Sequence, residues 1–421
     1  MTSKYFPIHT DTACPLKWSW TTLFLNAGYS RTCHRTTEVK LTPENFNNFH
    51  NNSEVLEDRR QMLKGEWPKT NCGYCRNIEK AGGTSDRMVQ MKLPGHMPPE
   101  LEKNTTAIEV SPTIVEVYFD NTCNLGCLYC SPELSSTIFN ENQKFGKFKK
   151  YGVHLESSEK HFKTLVPYFW KWFDTGFQSI ERLHVLGGEP LLQKEFDTLL
   201  DKIDATPNPN CTLNIVTNLM ISTPRLDNYV QRFKQLILDK KIKRVDITCS
   251  IDSWGPEQEY VRWGMKLEHW ETNFKLLLKH RWLTLNINQT ISSLTIKTVP
   301  ALLEKLAEWR KVRKVGHWFG GVLPGQVDGP VVMMANIFGD REFVQDCKNI
   351  LKLMPTTNSE EKTAYQYMDS ILTGFITSKF DQDQVRNLIV YLDEKDRRRN
   401  TNWEVLFPWL IRYREICGIV K

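Results

Sequence analysis

Three cysteines, Cys123, Cys127 and Cys130, fall in the run Val117-Tyr-Phe-Asp-Asn-Thr-Cys-Asn-Leu-Gly-Cys-Leu-Tyr-Cys-Ser131. Thiolates at Cys-x3-Cys-x2-Cys spacing suit three corners of one metal cluster, because thiolate is the soft ligand that iron–sulfur centres need. No fourth cysteine is near enough in sequence to close the site. One metal corner therefore stays open, and an open coordination position is where chemistry takes place. The plainer alternative is a zinc knuckle, or buried thiols grouped by chance. Four more cysteines come earlier: Cys14, Cys33, Cys72 and Cys75. With Gly28 they read Cys-x13-Gly-x4-Cys, then Cys-x2-Cys. Four thiolates close one tetrahedral or cubane site completely, so an iron–sulfur cluster and zinc both fit, with His34 an alternative ligand.

The elements that must position these groups are legible from about residue 106. Strands are expected at Ile114–Phe119, Leu183–Leu186, Cys211–Thr217, Arg244–Ile251, Leu283–Gln289 and Val315–Phe319, each a short apolar or alternating run. Helices are expected between them, near 158–174, 193–204, 224–239, 267–280 and 298–312. Such alternation argues for a parallel sheet. Six strands are too few for a closed eight-unit barrel, and an open or partial barrel of six units fits. In such sheets the active site lies at the carboxyl ends of the strands, which is where the cysteine loop falls. Helices are also expected at Glu361–Phe375 and Gln384–Lys395. The charged run Asp393-Glu-Lys-Asp-Arg-Arg-Arg399 reads as a solvated helix end.

The 421 residues are 40% apolar and 25% charged, the make-up of an ordinary globular protein. A net charge of +6 is too weak to argue for nucleic acid or a membrane surface, and a lack of basic clustering before residue 330 speaks against RNA. No apolar run is long enough to span a bilayer, and the first ten residues lack the apolar core of a signal peptide. The 11 cysteines therefore read as metal ligands plus a few buried thiols in a reducing cytoplasm, not as a disulfide framework. Cys211, Cys249, Cys347 and Cys417 are the expected buried thiols.

Cys123-Asn124-Leu125-Gly126-Cys127-Leu128-Tyr129-Cys130 resembles the signature of the radical S-adenosylmethionine (SAM) superfamily, including the Asn after the first cysteine and the Tyr before the last. Gly187-Gly188-Glu189-Pro190, one strand and helix later, resembles the superfamily motif that binds the amino group of SAM. Thr217-Asn218 resembles its Thr-Asn pair, although Leu219 stands where a glycine often follows. By the same resemblance, Ser250 and Asp252 lie by the SAM ribose or the substrate, and Arg262 by the SAM carboxylate, a pairing that suits a guanidinium. A surface ion pair is the plain alternative for Arg262. Asn288 and Gln289 are weaker pocket candidates. The N-terminal cysteines resemble the auxiliary-cluster twitch module, a shortened SPASM domain, here placed before the barrel instead of after it.

The resemblance implies an α/β chain: a partial (β/α)6 TIM-like barrel over 106–330, a twitch-like module over 1–105 and a helical extension over 331–421. It implies a 4Fe–4S cluster on Cys123, Cys127 and Cys130, SAM, and a second 4Fe–4S cluster, or zinc, on the N-terminal set. The implied activity is that of a radical SAM oxidoreductase or transferase-type enzyme, which cleaves SAM reductively and abstracts hydrogen through a 5′-deoxyadenosyl radical. Its partners would be an electron donor such as flavodoxin or ferredoxin and a peptide or protein substrate. A nucleotide or small metabolite is the alternative substrate, and a non-catalytic zinc-binding protein is the alternative class. In Tyr168-Phe-Trp-Lys-Trp-Phe173 the aromatics are expected to pack a helix on the barrel. Trp318 and His317 close the expected sixth strand, with packing and a structural hydrogen bond their plainer roles.

Overall fold

The computed structural model describes residues 6–92, 97–157, 164–313, 322–327, 329–357 and 359–419. Its strands are β1 (Trp20–Phe24), β2 (Tyr29–Arg31), β3 (Val39–Lys40), β4 (Ile114–Tyr118), β5 (Phe148–Lys150), β6 (Val153–Leu155), β7 (Arg182–Leu186), β8 (Asn208–Thr217), β9 (Ile242–Ser250), β10 (Thr284–Ile291) and β11 (Val322–Gln326). Nine of them form one sheet in the order β11-β10-β9-β8-β7-β4-β1-β2-β3, and β5-β6 is a separate hairpin. Pairing is parallel for β1–β4, β4–β7, β7–β8, β9–β10 and β10–β11. It is antiparallel only for β1–β2 and β2–β3 among the described pairs. The protein is thus mixed α/β with a large, mostly parallel sheet.

Five of the six expected strands and the helices between them appear close to their expected places. The exception is Val315–Phe319, which lies outside the described residues, as do His317 and Trp318; the last described strand begins at Val322. Strands β1 to β3 go unnoticed in the sequence. They are short, and the antiparallel pair is held by a turn at Gly28, whose φ of 77° favours glycine.

The chain divides into two compact units. One comprises Met1–Asn121, Lys160–Ile215 and Gln231–Val245. In it, Ile-Val-Glu-Val-Tyr of β4 alternates faces, as every strand must. Next to β4, Phe119 meets Phe169 and Trp170 of the helix Val166–Gly176, at ring separations of 5.2 Å each. Phe169 and Phe173 are fully buried, which stabilises by about 1.5–3 kcal/mol each. This is the packing expected of the aromatic run. In the helix Lys194–Ala205, Phe196, Leu199, Leu200 and Ile203 recur at i, i+3, i+4 and i+7 and form its buried stripe.

The other unit comprises Thr122–Glu159, Val216–Val230 and Asp246–Lys421. It holds the cysteine loop, the ends of β8 and β9, β10, β11 and the C-terminal helices Ser359–Thr377 and Gln382–Arg399. The charged run at the end of the helix Gln382–Arg399 is largely buried, with Arg397 exposed, contrary to the expectation of a solvated end. Glu394, Lys395 and Arg398 are buried, and Lys395 and Arg399 both meet Glu141 on the helix Ser136–Phe145. Mutual pairing is what lets charges enter the interior. Cys211, Cys249, Cys347 and Cys417 are buried, as expected. Among the described residues no helix is long and apolar enough to cross a membrane.

Candidate functional site

In the second unit, the backbone of the cysteine loop is pinned almost residue by residue. The Cys123 amide donates to Ser136 Oγ (3.0 Å), and Thr137 Oγ1 donates to the Cys123 carbonyl (2.7 Å). Amides of Gly126 and Leu128 donate to the carbonyls of Trp263 (2.9 Å) and Val261 (2.8 Å). Tyr391 Oη, from the C-terminal helix, donates to the Leu128 carbonyl at 2.5 Å. A Cβ on Gly126 would stand 3.1 Å from both Arg399 and Trp263, so a larger residue here would require those side chains to shift.

Hydrogen-bond donors converge on the first sulfur. The Leu125 amide lies 3.5 Å and Asn218 Nδ2 3.8 Å from Cys123 Sγ. Asn218 also donates to Asn124 Oδ1 (3.1 Å), and Asn124 Nδ2 donates to the Met220 carbonyl (2.5 Å). Donors to cysteine sulfur are one means by which proteins tune iron–sulfur clusters. Leu219, where a glycine is usual in the resembling family, takes φ 57°, which costs a side chain roughly 1–2 kcal/mol. It is also fully buried, and emptying such a leucine site costs about 2–5 kcal/mol. The second effect is larger. Leu219→Gly is therefore expected to destabilise the protein by about 1–3 kcal/mol in urea denaturation; a gain in stability would show that strain dominates.

Asp252, just beyond β9 and fully buried, organises the far side of the loop. It accepts two parallel bonds from Arg262, at 2.8 and 2.9 Å, and one from Tyr129 Oη at 2.6 Å. The Thr290 amide also donates to it (3.0 Å), and Gln289 Nε2 holds its carbonyl (2.8 Å). Arg262 is therefore one half of a buried ion pair, not of a surface one. Tyr129 sits between Cys127 and Cys130 in sequence, so the Asp252–Arg262 pair anchors the cysteine loop through the Tyr129 phenol. Ser250 and Thr217 are buried nearby in the chain.

Burial raises the thiol of Cys127, while Arg262 pulls it down; Cys130 is pushed up to about 12 by burial, with Cys127 adding repulsion. The thiols of Cys127 and Cys130 thus resist ionising until a cation arrives, since metal binding takes deprotonated thiols. The loop thus fits a cluster: crowded thiols, N–H donors aimed at sulfur, and a pinned backbone.

In the first unit, the four N-terminal thiols are brought together. Cys14 is the residue before the short helix Pro15–Ser19, which leads into β1; the Gly28 turn sends β2 back, and Cys33 follows two residues after it. That out-and-back path is what the Cys-x13-Gly-x4-Cys spacing encodes. Cys72, at φ 66°, opens the helix Gly73–Lys80, which carries Cys75. Cys14 packs with Cys33 and Cys72 in one cluster. Burial raises Cys14, and Cys33, Cys72 and Cys75 all raise it further by like charge. Burial likewise pushes Cys72 up to about 12, against the pull of Lys17. Buried Lys17, paired with Asp58, and Arg87, paired with Glu79, frame the set. These cations escape sequence reasoning because nothing in their spacing marks them. His34 turns instead to the buried Glu116, at 3.6 Å.

No group of three or more described His, Cys, Asp or Glu side chains is arranged to hold a single metal ion. A four-iron cube spreads its thiolates wider than one ion does, so single-ion geometry is not the test of a cluster site.

Gly187-Gly188-Glu189-Pro190 follows β7 in the first unit. Gly187 (φ 81°) and Gly188 (φ 58°) take conformations that favour glycine, and a Cβ on Gly187 would strike the Tyr118 ring at 2.3 Å. Glu189 is fully buried and accepts from the Leu191 amide at 3.2 Å; Pro190 starts the short turn Pro190–Leu192.

No protein-family model matches the chain, and no curated protein does. Among solved structures, the chain is similar to Streptococcus suis SuiB in two crystal forms, one bound to the precursor peptide SuiA and one to S-adenosylmethionine. Identity is 13% for each, with TM-scores of 0.33 and 0.34, over 87% of this chain. The chain spans 66% of the length of each SuiB chain. A likeness this slight carries no functional argument.

Proposed function

We propose that this protein is a radical SAM enzyme with a 4Fe–4S cluster on Cys123, Cys127 and Cys130 and a second cluster, or zinc, on Cys14, Cys33, Cys72 and Cys75. The observation that carries the reading is the pinned cysteine loop, with Leu125 and Asn218 donors at Cys123 Sγ and Tyr129 tied to the buried Asp252–Arg262 pair. When bound, the cluster and SAM supply a one-electron cleavage of the sulfonium bond and a carbon radical that takes hydrogen from substrate.

The chain's own residues bind and orient. Asn218 and the Leu125 amide stabilise negative charge on Cys123 sulfur. Asp252 fixes Arg262 and Tyr129, so it is a positioning residue for the loop. The resemblance assigns Gly187, Gly188, Glu189 and Pro190 to the SAM amino group, and Thr217, Asn218, Ser250, Asp252 and Arg262 to the rest of SAM. Arg262 already spends two donors on Asp252, which leaves its remaining nitrogen for a ligand. A peptide or protein is the proposed substrate and a partial barrel the proposed closure of the sheet, both on the resemblance alone.

Anaerobic reconstitution with iron and sulfide tests the reading. About four irons per cluster and release of 5′-deoxyadenosine from SAM are expected. A protein that takes up zinc but no iron, or that releases no 5′-deoxyadenosine with any reductant, is not this enzyme.

A further inference from the structure

Between Lys144 and Ser157 the chain places four lysines against one acid, Glu156. Four lysines within seven residues are a basic cluster, which corrects the expectation of no basic clustering before residue 330. The structure gathers them on the hairpin β5–β6 and its approach. Lys144, Lys147, Lys149 and Lys150 are all exposed. Among the described residues only Lys147 of the four meets an acid, Glu156 at 3.2 Å.

The hairpin is a fixed platform. Its turn is Tyr151-Gly152, and a Cβ on Gly152 would fall 2.5 Å from Asn387 of the C-terminal helix. The Gly152 amide donates to Asn387 Oδ1 (3.2 Å), Asn142 Nδ2 donates to the Glu156 carbonyl (3.0 Å), and the Arg386 guanidinium lies 4.6 Å over the Tyr151 ring. A segment held at both ends and in the middle presents its charges in one orientation.

Under this hairpin lies a cavity of about 390 Å³. Gly152 and His154 of the hairpin and the adjoining Glu156 are among its lining residues, and so are Tyr129, Cys130 and Ser131 of the cysteine loop. The hairpin and one of the proposed cluster ligands therefore line one cavity.

We infer that the β5–β6 hairpin is the docking surface for an acidic one-electron carrier protein, which delivers its electron by way of Cys130. This rests on the proposed cluster on Cys123, Cys127 and Cys130. The step makes and breaks no bond: the carrier is oxidised by one electron and the cluster is reduced by one. Charge complementarity selects the carrier, since opposite fields steer encounter.

The test uses the reconstituted full chain, the K149E/K150E variant, and a control with the same charge change at exposed Lys279 and Lys311 (K279E/K311E). Flavodoxin photoreduced to the hydroquinone is the probe, followed by anaerobic stopped-flow. At low salt the rate of cluster reduction is expected to fall roughly tenfold or more in K149E/K150E, with a flattened salt dependence. It should hold in the control, and all three proteins should be reduced equally fast by dithionite. Equal rates with flavodoxin in K149E/K150E and wild type overturn the inference. So does binding of a short single-stranded RNA, lost in K149E/K150E, when flavodoxin does not bind. If no cluster assembles, the enzyme reading fails, and calorimetric titration of flavodoxin into the cluster-free chain decides the surface: lost binding in K149E/K150E supports it, equal binding overturns it.

Discussion

Replacing Asp252 with alanine is expected to destabilise the fold by about 3–5 kcal/mol, read from urea denaturation of the metal-free protein. The magnitude follows from what is left behind. Arg262 is buried, and Asp252 is its only acidic partner among the described residues. Removing the carboxylate strands a guanidinium out of water and leaves the Tyr129 hydroxyl and Thr290 amide without an acceptor. Each unsatisfied buried group costs about 1–3 kcal/mol, and the stranded charge costs more. Asp252→Asn keeps an oxygen acceptor but not the charge, so its loss should be smaller. The double change Asp252→Leu with Arg262→Met should recover most of the stability, because removing both charges of a buried pair is often neutral. A loss below about 1 kcal/mol for Asp252→Ala would mean that water reaches this pair and that it does not anchor the loop.

The second prediction separates the two cysteine sets. Cys127→Ala is expected to lose about four irons per chain and to bring SAM cleavage down to background. Cys75→Ala is expected to lose the metal of the N-terminal set while SAM cleavage persists. The asymmetry follows from ligand count. Three thiolates leave a corner for a ligand, whereas four close the site, so only the first set is placed to cleave SAM. Metal analysis by mass spectrometry alongside the 5′-deoxyadenosine assay reads both. If Cys75→Ala keeps all its metal, the N-terminal thiols are not a metal site, and their grouping is hydrophobic packing alone.

Much of the parallel sheet was legible because its strands are short runs of branched and aromatic residues with amphipathic helices between them. Phe196, Leu199, Leu200 and Ile203 announce a helix face by spacing alone. The strands β2 and β3 were not legible, because two or three residues carry no periodicity, and the five-residue β1 stands apart from the strand-helix alternation that begins near residue 106. The charged run Asp393–Arg399 misled for a related reason. Composition reports charge but not whether a partner waits in the fold, and here Glu141 accepts both Lys395 and Arg399. The four lysines of Lys144–Lys150 lie close in the sequence itself; what the fold adds is the hairpin β5–β6, which carries Lys149 and Lys150.

By itself the sequence determined the thiol inventory: which thiols lie close along the chain, how many each set offers, and where the strand before Cys123 runs. Spacing fixes these because ligands a few residues apart cannot separate. Tertiary structure alone decided which side chains confront those thiols. Asn218 reaches Cys123 across 95 residues and Tyr129 reaches Asp252 across 123. Contacts over such distances depend on how loops meet at strand ends, which no local pattern records.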